Sequence, residues 1–173
     1  MPFVIINSRD PLSHERRALL AETISATMIY LEINRDTPEI RAIDWTWFRT
    51  LGAENWVVGG RFDDRFVKGR AMILAEIIAP AALMDPDLKR KALHETTARL
   101  REAMTLSPDD DGIGIFVIIT EAPITQWSVD GATATTRELI EQVKGDVSRS
   151  RLEGIDAHDR GWASVHDTFG IPR

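Results

Sequence analysis

The strongest constraint on this chain is that it nearly repeats itself. A shift of 71 residues lays Trp56 on Trp127, Val58 on Val129 and Gly60 on Gly131, with Asn55 on Gln126 and Trp45 on Phe116. A shift of 73 pairs Arg17 with Arg90, Leu20 with Leu93, Glu22 with Glu95 and Thr23 with Thr96. Loops of unequal length between helix and strand account for the two-residue difference. A unit present twice must fold the same way twice, so the two copies are read together.

In the first copy, residues 3–6 (FVII) form a short β-branched run of strand type. Ser13 is placed to cap a helix reaching about residue 31, with Leu20, Ile24, Thr27 and Met28 on one face. Residues 40–49, rich in Ile, Trp and Phe, read as a second strand. In the second copy, residues 70–78 read as a strand, and Asp85-Pro86 marks a helix start running to about 104. Residues 113–121 form the strongest strand signal in the chain.

The expected fold is therefore α+β: duplicated β-α-β units, 2–60 and 70–131, forming one four-stranded mixed sheet with both helices on one face. The other sheet face then needs a cover, expected from oligomerisation and from the C-terminal segment. That segment, 135–173, opens with a capping-box pattern at Thr135 and Glu138 and continues past 145 as a polar arm with apolar anchors such as Leu152, Ile155 and Trp162.

Composition narrows the chemistry. There is no cysteine among the 173 residues, which removes thiolate nucleophiles, disulfides and thiolate metal ligands. The net charge of −6 and the lack of a long basic run argue against a nucleic-acid partner. No leader-like start or membrane-length apolar stretch is present, so a cytoplasmic location without membrane contact is expected. His158-Asp159 and His166-Asp167 match no standard metal spacing, Gly112-Ile113-Gly114 lacks the helix of a dinucleotide fingerprint, and Asp109 to Asp111 reads as a solvated loop. No metal and no cofactor is expected.

Pro2 follows the initiator methionine directly. A small second residue permits removal of methionine, which leaves Pro2 as a secondary amine. Burial against apolar side chains lowers the pKa of such an amine and makes it a usable base. The other reading is a proline at the first position of a strand, where its missing N–H costs nothing.

With Pro2 to Ile6, residues 117–121 (VIITE) and the two aromatic-x-x-x-Gly segments at Trp56 and Trp127, the chain resembles the tautomerase superfamily over roughly residues 2–134. Its length resembles the fused two-unit, cis-3-chloroacrylic acid dehalogenase group, which also has counterparts of residues 55–60 and 121–123. The resemblance implies a cofactor-free enzyme, assembled as a homotrimer, that moves a proton on a small carbonyl or enol substrate. It assigns catalysis to Pro2 and Glu121. Trp56, Trp45 and Trp127 are candidate substrate walls and Arg41 a candidate anion contact, each having an ordinary reading as core, interface or solvated residue. The family's carboxylate-binding arginines fall here near Leu12 and Trp45 and within residues 79–84 (APAALM), with no cation at any of them. Chloroacrylate dehalogenation and hydration are therefore disfavoured. The alternative is a catalytically weak trimeric binding or signalling protein of the same fold.

Overall fold

Two alternating runs and two capped helices build most of the structure. The computed structural model describes residues 3–67, 71–107, 109, 114–128, 131 and 134–169, without the side chains of residues 125 and 166. β1 (Phe3–Ser8) leads to α1 (His14–Glu32), where the Ser13 hydroxyl accepts from the Arg16 N–H. A short helix, α2 (Pro38–Ala42), precedes β2 (Trp45–Thr50). β3 (Ile73–Pro80) leads to α3 (Pro86–Ala103), capped by Asp85 with proline at its first position, and β4 (Ile115–Ala122) closes the second copy. α4 (Thr136–Gln142) and α5 (Arg149–Phe169) follow.

The strands form one sheet in the order β2-β1-β3-β4. β1 and β2 are parallel, β3 and β4 are parallel, and β1 and β3 are antiparallel at the centre. The repeat is visible in detail. The 3-10 turns Ala53–Asn55 and Ile124–Gln126 each lead into a tryptophan, and Gly60 and Gly131 both sit at φ 78°. That left-handed backbone explains glycine at both positions.

Alternation along the strands sorts the apolar residues onto two faces. Val4, Ile6, Ile73, Ala75 and Ile77 point to the helices and are buried with Leu20, Ile24 and Met28 of α1 and Ala92 and Leu100 of α3. Trp45, Trp47, Phe116 and Ile118 point the other way and remain 43% to 63% exposed. These four are related in pairs by the same 71-residue shift, Trp45 with Phe116 and Trp47 with Ile118.

Three expectations require correction. Residues 40–44 do not belong to the second strand: Thr37 caps a helical turn with Pro38 at its first position, and Ile40 is buried from that turn. The segment after 145 is largely a 21-residue helix, not an irregular arm; its polar composition hid a periodic stripe that includes Leu152 and Ile155. The described part of the C-terminal segment also leaves the open sheet face uncovered. It packs instead at the C-terminal end of α1, where Ile140, Val143 and Ile155 bury Ile29, Ile33, Ile40 and Leu83 in a second core.

Arg151 fixes α5 there. Its Nε donates to the Leu83 carbonyl at 2.8 Å and its Nη1 to the Leu31 carbonyl at 3.2 Å. Leu31 lies in the last turn of α1, whose carbonyls favour a cation. Replacing Arg151 by Ala should lower stability by about 2 kcal/mol, since hydrogen bonds to charged groups contribute on the order of 1.5–3 kcal/mol. It should also speed proteolytic release of α5. Arg151→Lys should recover little, because one ammonium does not span both carbonyls as the guanidinium fork does. Urea unfolding and timed proteolysis of the three proteins check this.

Candidate active site

Topology brings chemistry to one end of the sheet. β1 begins there, and its antiparallel partner β3 ends there, with Phe3 opposite Ile78. β4 runs with β3, so Glu121 pairs with Ala79 at the same end, and Trp127 follows shortly after. β2 begins at that end as well, with Trp45 beside Phe3. α1 runs back across the sheet and delivers Glu32 to this region. Pro2 itself lies outside the described residues, joined covalently to Phe3.

Phe3 is the centre of an aromatic cluster. Trp127 stacks on it at 5.3 Å between ring centroids and 8° between planes, Trp45 meets it edge-on at 5.7 Å, and Trp47 stacks at 6.0 Å. The Trp127 indole N–H donates to the Ala122 carbonyl at 3.2 Å, which fixes the ring. Beside the cluster is a cavity of about 430 Å³. Phe3, Pro80, Leu83 and Trp127 wall one side, and Leu139 and Ile140 of α4 wall the other.

The sequence-derived residues divide. Trp45 and Trp127 join Phe3, whereas Trp56 follows β2 at its far end, so within one chain it is not brought to this site. Arg41 is committed elsewhere. It holds Asp36 at 2.7–2.8 Å and Glu22 at 3.0–3.2 Å, and these carboxylates raise its pKa above the usual arginine value. Glu121 sits at the right end of the sheet, with both oxygens occupied. Lys89 Nζ donates to it at 2.6 Å and the Ala82 N–H at 3.2 Å. Ala82 lies at φ 63°, so this bond supports a left-handed corner between β3 and α3.

Two carboxyls were not anticipated from the sequence. Glu32 is fully buried in the last turn of α1, where burial pushes its pKa up to about 7. The negative end of the helix dipole acts in the same direction. Asp44, directly before β2, is also raised by burial and lies within electrostatic reach of Glu32. No pattern in the sequence marks Glu32 as buried, and its interior position is seen only in the folded chain, where Asp44 and Arg151 lie within electrostatic reach. Among the described residues, no group of three or more His, Asp or Glu is placed to hold a metal ion. No described helix is long and apolar enough to cross a membrane.

This arrangement of strands and helices has counterparts among solved structures. A fused 4-OT, described as a wild-type asymmetric trimer, superposes with a TM-score of 0.62 over 79% of this chain and 98% of its own, at 16% identity. Macrophage migration inhibitory factor of Toxoplasma gondii gives 0.57 at 10% identity, covering 76% of this chain and 99% of that one. The FG41 malonate semialdehyde decarboxylase inhibited by 3-bromopropiolate gives 0.55 at 12% identity, covering 81% and 96%. The chain has the tautomerase fold. No protein-family model matches the sequence, and no curated protein matches it.

Within this tautomerase fold, Glu32 makes stability depend on pH. Its folded pKa of about 7 lies above the ordinary 4.5, so the folded state retains a proton that the unfolded state has lost between these values. Stability should therefore fall as pH rises from 4.5 to 7. Glu32→Gln should flatten that slope and leave the protein more stable at pH 8, by on the order of 3 kcal/mol. Urea unfolding at pH 5 and pH 8 measures this; an unchanged slope contradicts the assignment.

Proposed function

We propose that this chain is a cofactor-free tautomerase-type enzyme whose base is the amine of Pro2, freed when methionine is removed. The observation that carries the reading is the cavity beside Phe3, the residue to which Pro2 is joined. A single peptide bond joins the two residues, which supports the reading that the amine serves this cavity.

The neutral amine takes a proton from carbon next to a carbonyl. The C–H electron pair becomes the carbon–carbon double bond of an enolate, and the carbonyl π pair moves to oxygen, which carries the negative charge. Prolinium then returns its proton at carbon, either the same one or a conjugated one. Apolar walls from Phe3 and Trp127 disfavour the charged amine, whereas ionised Glu32 and Asp44 favour it. Protonation of these carboxyls therefore tunes how much of the amine is free. In this reading Glu121 anchors the Ala82 corner and Lys89, and reaches substrate only when the Lys89 pair opens.

The exposed face bearing Trp45, Trp47, Phe116 and Ile118 supports assembly with further copies. The trimeric state of the fused 4-OT suggests that three chains meet there. A second reading, a binding protein of the same fold, is favoured by the commitment of Arg41 to Asp36 and Glu22.

Deuterium uptake at the α-carbon of phenylpyruvate and phenylacetone, followed by NMR in D2O, tests the enzyme reading. Pro2→Ala should lower the rate roughly 10²-fold or more, the usual contribution of a general base. Mass spectrometry should show methionine absent from the wild type. Retained methionine, or exchange unaffected by Pro2→Ala, selects the binding-protein reading. For the assembly, Trp47→Glu with Ile118→Glu should convert a trimer into a folded monomer by light scattering. A wild-type monomer sinks that part.

A further inference from the structure

We propose that the open sheet face of one copy is joined to the next through an ion pair between Glu76 and the neighbouring copy's Arg49, and that this pair sets how identical chains fit together. The inference rests on the assembly reading above. It adds the residues that choose the partner and fix its register.

Strand register maps the face. Across its middle row Trp47, Ile5, Glu76 and Ile118 lie side by side on the four strands. Leu74 and Ile78 flank Glu76 along β3, two residues away on either side and on the same face. A carboxylate therefore stands in the interior of an apolar surface. The internal repeat makes the position conspicuous, because the 71-residue shift puts Ile5 of the first copy where Glu76 stands in the second. Among the paired strand residues that point this way, Arg49 is the other charged one. It lies beside Asn7, two strands from β3. Its counterpart under the same shift is Thr120, so neither charge is repeated by the internal symmetry.

Glu76 is held ready for a partner. Asn7, itself buried, donates its side-chain amide to Glu76 Oε1 at 2.7 Å and to the Leu74 carbonyl at 3.3 Å. The carboxylate is oriented by that bond, and no described cation pairs with it. Arg49 is exposed, and its guanidinium bonds nothing among the described residues. Arg9, Arg41 and Arg137 behave differently, each being held by carboxylates of its own chain. A second copy laid on the apolar face takes Glu76 out of water, at a cost that a cation with a hydrogen-bonding fork offsets. Every copy carries one such carboxylate and one such cation on this face. In a head-to-tail ring each Arg49 then meets the Glu76 of its neighbour, and none is left over. Lateral apolar contact supplies the association, and the charges select the orientation.

Sedimentation velocity and native mass spectrometry of the full chain test this. Arg49→Glu, at an exposed position, should leave the fold intact by circular dichroism and weaken assembly about 10²-fold or more, because it sets two carboxylates against each other. Adding Glu76→Arg to Arg49→Glu should restore assembly. An ion pair made within one chain would give the same two results, so mixing decides between them. Isotope-labelled wild type, co-refolded with the double variant, should sort into two pure assemblies, since a mixed contact opposes like charges. Random mixing overturns the proposal. Glu76→Gln, which keeps an acceptor for Asn7, takes the place of Glu76→Arg if the longer side chain impairs folding; sorting should then be weaker but in the same sense, and random mixing again overturns it. The two readings fail differently. A wild-type monomer removes the assembly and this contact together, whereas a wild-type assembly that Arg49→Glu leaves equally tight removes the contact alone.

Discussion

The antiparallel pairing of β1 with β3 is the constraint on which the rest depends. Each repeat could make a parallel pair of strands and a helix alone, but only the joined halves bury the two helices against each other as well as against the sheet. Joining the halves through β1 and β3 relates them by an approximate two-fold axis, which puts α1 and α3 on one face of the sheet. Residues as small as Ala92 and Thr96 on α3 are buried there, which lets the helices approach closely. The same pairing sends the start of β1 to the end of β3. Phe3, Glu121 and Trp127 therefore meet at one sheet end although they come from opposite halves of the chain.

The symmetry is broken by the last two helices. They cover the C-terminal end of α1, and α4 supplies one wall of the cavity beside Phe3. The fused 4-OT leaves about a fifth of this chain unmatched while almost all of its own length is covered, so this chain carries more than the shared fold requires. The open sheet face presents the opposite situation. Its four large apolar residues come in symmetric pairs, which is what a surface shared between identical chains needs.

Much of this was legible in the sequence. The 71-residue shift found the two tryptophan turns and the glycines at φ 78°, because those positions carry backbone requirements that both copies must meet. The caps at Ser13, Asp85 and Thr135 were legible because a side-chain oxygen before an apolar run has one efficient use. α2 was missed although Thr37-Pro38 carried a helix-start signal, since the run of Ile and Trp residues behind it favoured a strand. α5 was missed because Gly154 and Gly161 fall inside it, where glycine disfavours helix, and most of its surface is polar. The cavity and the burial of Glu32 were beyond reach for a different reason. Both are set by tertiary packing, and no periodicity in the repeat specifies that. Arg41 shows the converse limit: a cation near the right strand says nothing of the two carboxylates that claim it.

The central claim is that the amino-terminal end of β1 opens into the cavity and performs the chemistry there. A crystal structure of the purified protein soaked with phenylacetone tests it most directly. Expected are an absent methionine and the Pro2 nitrogen facing the α-carbon of a ligand seated between Trp127 and α4. A ligand bound elsewhere, or a Pro2 nitrogen turned away from the cavity, contradicts it.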